Sequence, residues 1–146
     1  MTEKCYDALK LENQLCFPLY ACSREIIKKY HPFLEAVGLT YTQYVTMMVL
    51  WEEQTITVKE LGKRLYLDSG TLTPVLKALE AKGLLTRKRS AEDERVLIVT
   101  VTDAGRALAD TAADIPAKVG CQLHLTPEEA GMLYQLLYKL LNEPTA

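Results

Sequence analysis

The 146-residue chain is 49% apolar and 25% charged, with a formal net charge of −2, values of an ordinary folded domain rather than a disordered or uniformly polyanion-binding chain. No apolar run approaches a membrane span, and the first residues, MTEKCYDALKLENQ, lack the apolar stretch of a signal peptide, so a cytoplasmic location is expected. Four cysteines (Cys5, Cys16, Cys22 and Cys121) show no CxxC or other metal spacing; no metal or cofactor is expected, and in a reducing compartment any disulfide would be transient and functional.

In chain order, residues 15–30 read as a first long helix, with Leu19, Ile26 and Ile27 among its apolar positions. Thr40 and Gln43 stand in capping-box spacing and open a second helix, YTQYVTMMVLWEE, whose apolar residues run nearly all round and place it centrally in the core. Met47, Met48 and Trp51 are read as core. Thr57 and Glu60 repeat the box at the start of a short third helix ending near Leu65. A turn, YLDSG, leads into TLTPVLKALEAKG, where Leu72, Val75, Leu76 and Leu79 share one helical face and Gly83 suits the position after the C-cap.

The period then changes. LLTRKR and RVLIVTVT favour strands, and the polar SAEDE between them makes a β-hairpin with a charged tip. A fifth helix starts at about Asp103 behind Thr102 and is interrupted at Pro116. TPEE supplies Thr126 as N-cap, Pro127 at N1 and Glu129 at N3 for the last helix, whose Leu133, Leu136, Leu137, Leu140 and Leu141 form one stripe. The class is mainly α with a small β-hairpin: a helix–turn–helix followed by a wing. A single domain is expected, with residues 40–101 as the winged helix and residues 1–36 and 103–146 as dimerisation helices, because the terminal helices carry apolar stripes with no evident partner inside so small a domain.

Between Thr57 and Arg95 there are nine basic and six acidic residues, a local charge of +3 that leaves −5 for the rest. Positive charge gathered on a helix–turn–helix and its hairpin is the footprint of a double-stranded DNA partner. Ser69, Thr71 and Thr73 near the start of the fourth helix suit phosphate and base-edge contacts, with Lys77, Arg87, Lys88 and Arg89 as further basic contacts. Arg95, just past the hairpin tip, suits a minor groove.

The stretches LTYTQYVTMMVLWE, LGKRLYLDSGTLTPVLKALEAKGLL and RSAEDERVLIVTVTDAG resemble the MarR family of winged-helix repressors, and LENQLCFPLYACSREIIKKY with LDSGTLTP resemble its organic-hydroperoxide-sensing branch. The resemblance covers nearly all of residues 11–141. It implies a homodimer on a pseudo-palindromic operator, which organic hydroperoxide releases by oxidising a cysteine in the first helix. That cysteine matches Cys16. Two tyrosines that hydrogen-bond the sulfur from the other subunit match Tyr30 and Tyr41, and the wing arginine matches Arg95 with Asp93 beside it. Some members carry a second cysteine towards the C-terminal helices that resolves the oxidised sensor, a role that would fall to Cys121.

The residues themselves leave Cys16 open. Between Leu15 and Phe17 it could be an ordinary small hydrophobe. Yet Pro18 is tolerated only in the first turn of a helix, which puts Cys16 at the N-terminal end, where free N–H groups and the helix dipole favour the nucleophilic thiolate. Cys22, six residues on, is turned by about 240° and set about 9 Å along an intact helix, out of bridging reach. A small cellular thiol or Cys5 are alternatives to Cys121 as resolver. Two other functions stay in play: a MarR-type repressor released by a small aromatic or phenolic ligand, with Cys16 incidental, and a thiol peroxidase, against which the missing CxxC and βαβ patterns argue. His31 and His124 lack ligand partners at metal spacing and take ordinary polar roles, and Tyr134 and Tyr138 are read as a packing pair at i, i+4.

Overall fold

The computed structural model describes residues 6–142; Cys5 lies outside them. Two short 3₁₀ turns, Asp7–Leu9 and Leu11–Asn13, precede α1 (Cys16–Val37), α2 (Tyr41–Glu53), β1 (Thr55–Thr57), α3 (Val58–Leu65), α4 (Ser69–Ala81), β2 (Leu85–Arg89), β3 (Leu97–Val101), α5 (Asp103–Ala112), α6 (Ile115–Gly120) and α7 (Pro127–Leu141). The chain divides into two compact units at Ile115/Pro116. The first holds the helix–turn–helix, the sheet and α1; the second holds most of α6 and all of α7.

In the first unit α2 is central, packing against α1, α3, α4, α5 and the sheet. The capping box forms in full: Thr40 Oγ1 accepts the Gln43 N–H at 3.2 Å, and Gln43 Oε1 accepts the Thr40 N–H at 3.1 Å. Tyr44, Met47 and Leu50 are buried, as are Leu61, Leu72, Leu76, Leu79, Leu85 and Val99. Met48, expected in the core, is exposed. Trp51 is half-buried and its indole N–H donates to the Gly105 carbonyl at 2.7 Å, so its polar edge is satisfied where α5 crosses α2.

The helix–turn–helix is closed by a glycine. The Leu67 N–H donates to the Gly62 carbonyl at 3.0 Å, and a Cβ on Gly62 would lie 2.6 Å from the Leu67 oxygen. Only a residue without a side chain lets the turn between α3 and α4 fold back this tightly.

Several elements differ from expectation. The first helix runs seven residues past Tyr30. Pro32 removes only one hydrogen bond, to the carbonyl of exposed Lys28, while the added turn carries Leu34 into the core. At α3 only half the box forms: Thr57 Oγ1 accepts the Glu60 N–H at 3.2 Å, whereas the Glu60 carboxylate turns to Lys63 at 3.4 Å. The fourth helix starts at Ser69, inside the expected turn, because the Asp68 carboxylate accepts the Thr71 N–H at 2.7 Å. The hairpin is joined by β1, giving an antiparallel sheet of order β1-β3-β2. The fifth helix ends at Ala112, short of Pro116, and α6 follows as a separate turn and a half. Gly83 takes φ +75 directly after the Lys82 C-cap, as expected.

In the second unit the box at Thr126 is complete, with Glu129 N–H donating to Thr126 Oγ1 at 3.1 Å and Thr126 N–H to Glu129 Oε1 at 2.9 Å. α7 buries none of its residues. Tyr134 and Tyr138 lie 4.7 Å apart between ring centroids, and both are exposed.

Candidate DNA interface and redox site

α4 buries Leu72, Leu76 and Leu79 and turns Ser69, Thr73 and Lys77 outward at successive i+4 positions, with Thr71 also exposed. Thr73 Oγ1 donates back to the Ser69 carbonyl at 2.7 Å, which fixes that hydroxyl against the helix. A concave groove of about 1160 Å³ separates this face from the wing. Its lining includes Lys59, Lys63, Tyr66, Ser69, Thr73 and Arg95. Lys59 and Lys63 counted in the basic cluster but not among the expected contacts; Tyr66, half of whose surface is exposed, was not expected at all. Its φ of +56 at the α3 C-cap is a backbone turn that the sequence pattern does not announce.

The wing brings its own arginine forward. The Asp93 carboxylate accepts the Arg95 backbone N–H at 3.0 Å, Nε at 3.1 Å and Nη2 at 3.3 Å. These bonds, the side-chain ones foremost, hold the Asp93 carboxyl below the usual range, so it stays charged. The Arg95 side chain is 91% exposed and held by Asp93, a guanidinium presented rather than free to sweep solvent. Lys88 and Arg89 are exposed on the hairpin, and Arg89 Nη1 reaches the Glu94 carbonyl at 3.4 Å. Arg87 differs from its neighbours: its guanidinium is turned inward onto Glu80 at 3.0 Å.

Cys16 is the first residue of α1 and is exposed. The preceding Leu15 gives no side-chain cap, so no side chain competes for the first-turn N–H groups. The two 3₁₀ turns are tied down ahead of it by Asn13 Nδ2 donating to the Asp7 carbonyl at 2.7 Å, and by Gln14 Nε2 donating to Ala8 and Lys10 at 2.7 and 2.8 Å. An apolar hollow of about 700 Å³, lined by Lys10, Leu11, Glu12, Gln14, Phe17 and Pro18, occupies this stretch.

Tyr30 and Tyr41 come together at 5.1 Å between centroids, edge to face, with Tyr44 at 5.9 and 6.2 Å and Trp51 beyond it. Burial pushes the Tyr30 phenol above its ordinary range, and burial with its two tyrosine neighbours does the same for Tyr44. Both remain O–H donors. Tyr30 stands fourteen residues from Cys16 on one unbroken helix, about 21 Å along its axis. The pair therefore cannot reach the Cys16 of its own chain. In the second unit, Cys121 is exposed just after α6, its N–H donating to the Ala117 carbonyl at 3.1 Å. His124 then turns the chain with φ +52 towards the Thr126 cap. Among the described residues no three or more His, Cys, Asp or Glu side chains cluster to hold a metal, and no helix is long and apolar enough to cross a membrane.

A helix–turn–helix followed by a wing, with basic side chains lining the groove between them, defines a winged-helix protein of the transcription-regulator class. The sequence pattern of the family described as "Transcriptional regulator SarA/Rot" matches residues 28–112. The chain is 50% identical over 139 residues, 95% of its own length and 95% of the other's, to the organic hydroperoxide resistance transcriptional regulator of Bacillus subtilis (strain 168). It is similar to the solved structure of reduced AbfR bound to DNA, the Staphylococcus epidermidis protein, with TM-score 0.78 and 36% identity over 92% of this chain and 94% of that one. Disulfide-formed AbfR matches with TM-score 0.62 and the same identity, over 93% and 96% of the two chains. The chain belongs to the MarR family of winged-helix transcriptional regulators, in its organic-hydroperoxide-resistance branch. These relatives are named as transcriptional regulators.

Proposed function

We propose that the protein is a cytoplasmic transcriptional repressor, working as a homodimer on a pseudo-palindromic double-stranded operator, which it releases when organic hydroperoxide oxidises Cys16. The observation that carries this reading is the exposed thiol at the uncapped start of α1, in a chain half identical to an organic hydroperoxide resistance regulator. The Cys16 thiolate attacks the distal oxygen of the hydroperoxide, the O–O bond breaks, and the alkoxide leaves as the alcohol after protonation. Sulfur is oxidised to the sulfenic acid while the peroxide is reduced. The hollow beside Phe17 and Pro18 is of a size and polarity that suit an alkyl group.

Tyr30 and Tyr41 of the second protomer are proposed as the hydroxyl donors that favour the thiolate. Their distance from Cys16 on their own chain supports a contact across the dimer. Cys121 is proposed as the resolving thiol: its sulfur displaces the sulfenic oxygen, water leaves, and a Cys16–Cys121 bridge joins two protomers. The existence of a disulfide-formed AbfR supports such chemistry in this branch. A single domain, with the terminal helices dimerising around the winged helix, is part of the same reading, and so are DNA contacts from Ser69, Thr71, Thr73, Lys77, Lys88, Arg89 and Arg95, with Asp93 as brace.

The experiment is a DNA-release titration with cumene hydroperoxide. Release at about one equivalent per thiol, absent in Cys16→Ser, is expected; release that persists in Cys16→Ser overturns the redox reading. A covalent dimer on a non-reducing gel, lost in Cys121→Ser, is expected for the bridge. A monomer band with release intact removes Cys121 from the site.

A further inference from the structure

We propose that Glu80 and Arg87 act as a positioning pair that sets the angle of the wing against the DNA-reading helix, so that Arg87 works through Arg95 instead of touching DNA itself. The inference rests on the DNA-binding reading above. Glu80 lies in the last turn of α4, and Arg87 in the middle of β2. One carboxylate oxygen, Oε2, accepts the Arg87 backbone N–H at 3.0 Å, and the other, Oε1, accepts its Nη2 at 3.0 Å. Both oxygens of one acid are thus occupied by one residue of the wing.

The register explains why the backbone bond is available. Among the described residues β2 is an edge strand paired with β3 alone, and Arg87 stands opposite Val99. The Ser90 N–H donates to the Val96 carbonyl at 2.8 Å, so that pair is hydrogen-bonded. Counting back by the antiparallel alternation, the Arg87–Val99 pair is a non-bonded one, and the Arg87 N–H points out of the sheet edge. Glu80 closes that edge. The Arg87 side chain is 19% exposed, and its Nε is buried without a hydrogen-bond partner. A guanidinium meant for phosphate stands in solvent, as that of Arg95 does. Two rigid elements are pinned at one point: α4 carries Ser69, Thr73 and Lys77, and β2 leads through Lys88 and Arg89 to the tip. Contacts in two grooves at once demand a fixed angle between their carriers.

The charge signs separate the two roles of these residues. Near DNA, replacing an acid by a neutral amide relieves repulsion and tightens binding. As a positioning residue, Glu80 does the reverse when lost. The probe is a duplex selected by the wild-type dimer from a randomised pool, with affinity measured for wild type, Glu80→Gln, Arg95→Ala and the double variant. Glu80→Gln is expected to weaken binding about tenfold in the wild-type background and less than about twofold in Arg95→Ala. Arg87→Lys keeps the charge but loses the Nη2 donor that meets Glu80 Oε1, and is expected to weaken binding about as much as Glu80→Gln does. Unchanged or tighter binding by Glu80→Gln, or equal losses in both backgrounds, overturns the inference while leaving the DNA-binding reading intact. If Glu80→Gln does not unfold cooperatively, Arg87→Lys decides alone, and wild-type affinity there overturns it. Failure of the wild-type dimer to enrich any duplex removes the DNA-binding reading and this inference with it.

Discussion

α4 and α7 carry leucines at the same helical spacing and meet opposite fates. In α4, Leu72, Leu76 and Leu79 are no more than 1% exposed, sealed under α2, α3 and the sheet. In α7, Leu133, Leu136 and Leu140 are 43%, 55% and 53% exposed, and the helix buries nothing. The start of α1 resembles α7, with Leu15, Phe17, Leu19 and Tyr20 all exposed. An apolar stripe states that a helix will be covered; it does not state by what. In the winged helix the cover is the chain itself. For the start of α1 and for α7 we propose that it is the second protomer of the homodimer.

The contrast predicts where substitutions act. Leu136→Arg places one charge on each side of a two-fold interface. At about 2 kcal/mol of lost burial per protomer, before any desolvation of the charge, the dimer dissociates at micromolar concentration. Sedimentation should then report monomers whose thermal midpoint is lower, and operator affinity should fall at least a hundredfold. A stable Leu136→Arg dimer would show that α7 is covered by something else. Inside the winged helix the sensitive point is backbone. Gly62→Ala, which drives a methyl against the Leu67 carbonyl, should cost about 3 kcal/mol and lower the midpoint by about 10 °C, read by calorimetry.

Smaller effects are expected at the wing and at the tyrosines. Arg95→Ala should weaken operator binding about tenfold and flatten its salt dependence, with the dimer intact. Unchanged affinity at physiological salt would take Arg95 out of the interface. Tyr30→Phe and Tyr41→Phe should each slow oxidation of Cys16 about threefold by removing one donor to the thiolate, read as thiol loss at fixed pH. Rates equal to wild type would separate the tyrosine cluster from the sensor.

What could be read from the sequence divides along the same line. Caps are local, so Thr40, Thr57, Thr102 and Thr126 mark their helices correctly. Asp68 caps α4 as well, but with Thr71 where a box has Glu or Gln, and the helix starts two residues earlier than the apolar pattern from Thr71 implies. Strand β1 is only three residues long, and its existence depends on pairing with β3, more than forty positions away. The first helix continues past Tyr30 through Pro32, because the bond that proline removes faces solvent and Leu34 beyond it anchors the turn. Among the site residues, Arg95 and Asp93 stand two apart in DER; the position after the hairpin tip points to Arg95, and the family resemblance adds Asp93. The inward turn of Arg87 onto Glu80 depends on a tertiary contact between helix and strand, which a basic run such as RKR does not encode. The meeting of Tyr30 and Tyr41 followed from family resemblance, because their separation in sequence carries no contact information of its own.

The most direct test of the central claim is to map oxidised residues at the point where half the operator has been released. Protein on DNA is titrated with cumene hydroperoxide, the sulfenic acid is trapped with a dione reagent, and the cysteine peptides are weighed. The account predicts that Cys16 carries the trapped adduct, or a disulfide, in the released half, with Cys22 unmodified. Release with Cys16 still a free thiol, and oxidation confined to Cys22 or Cys121, would contradict it.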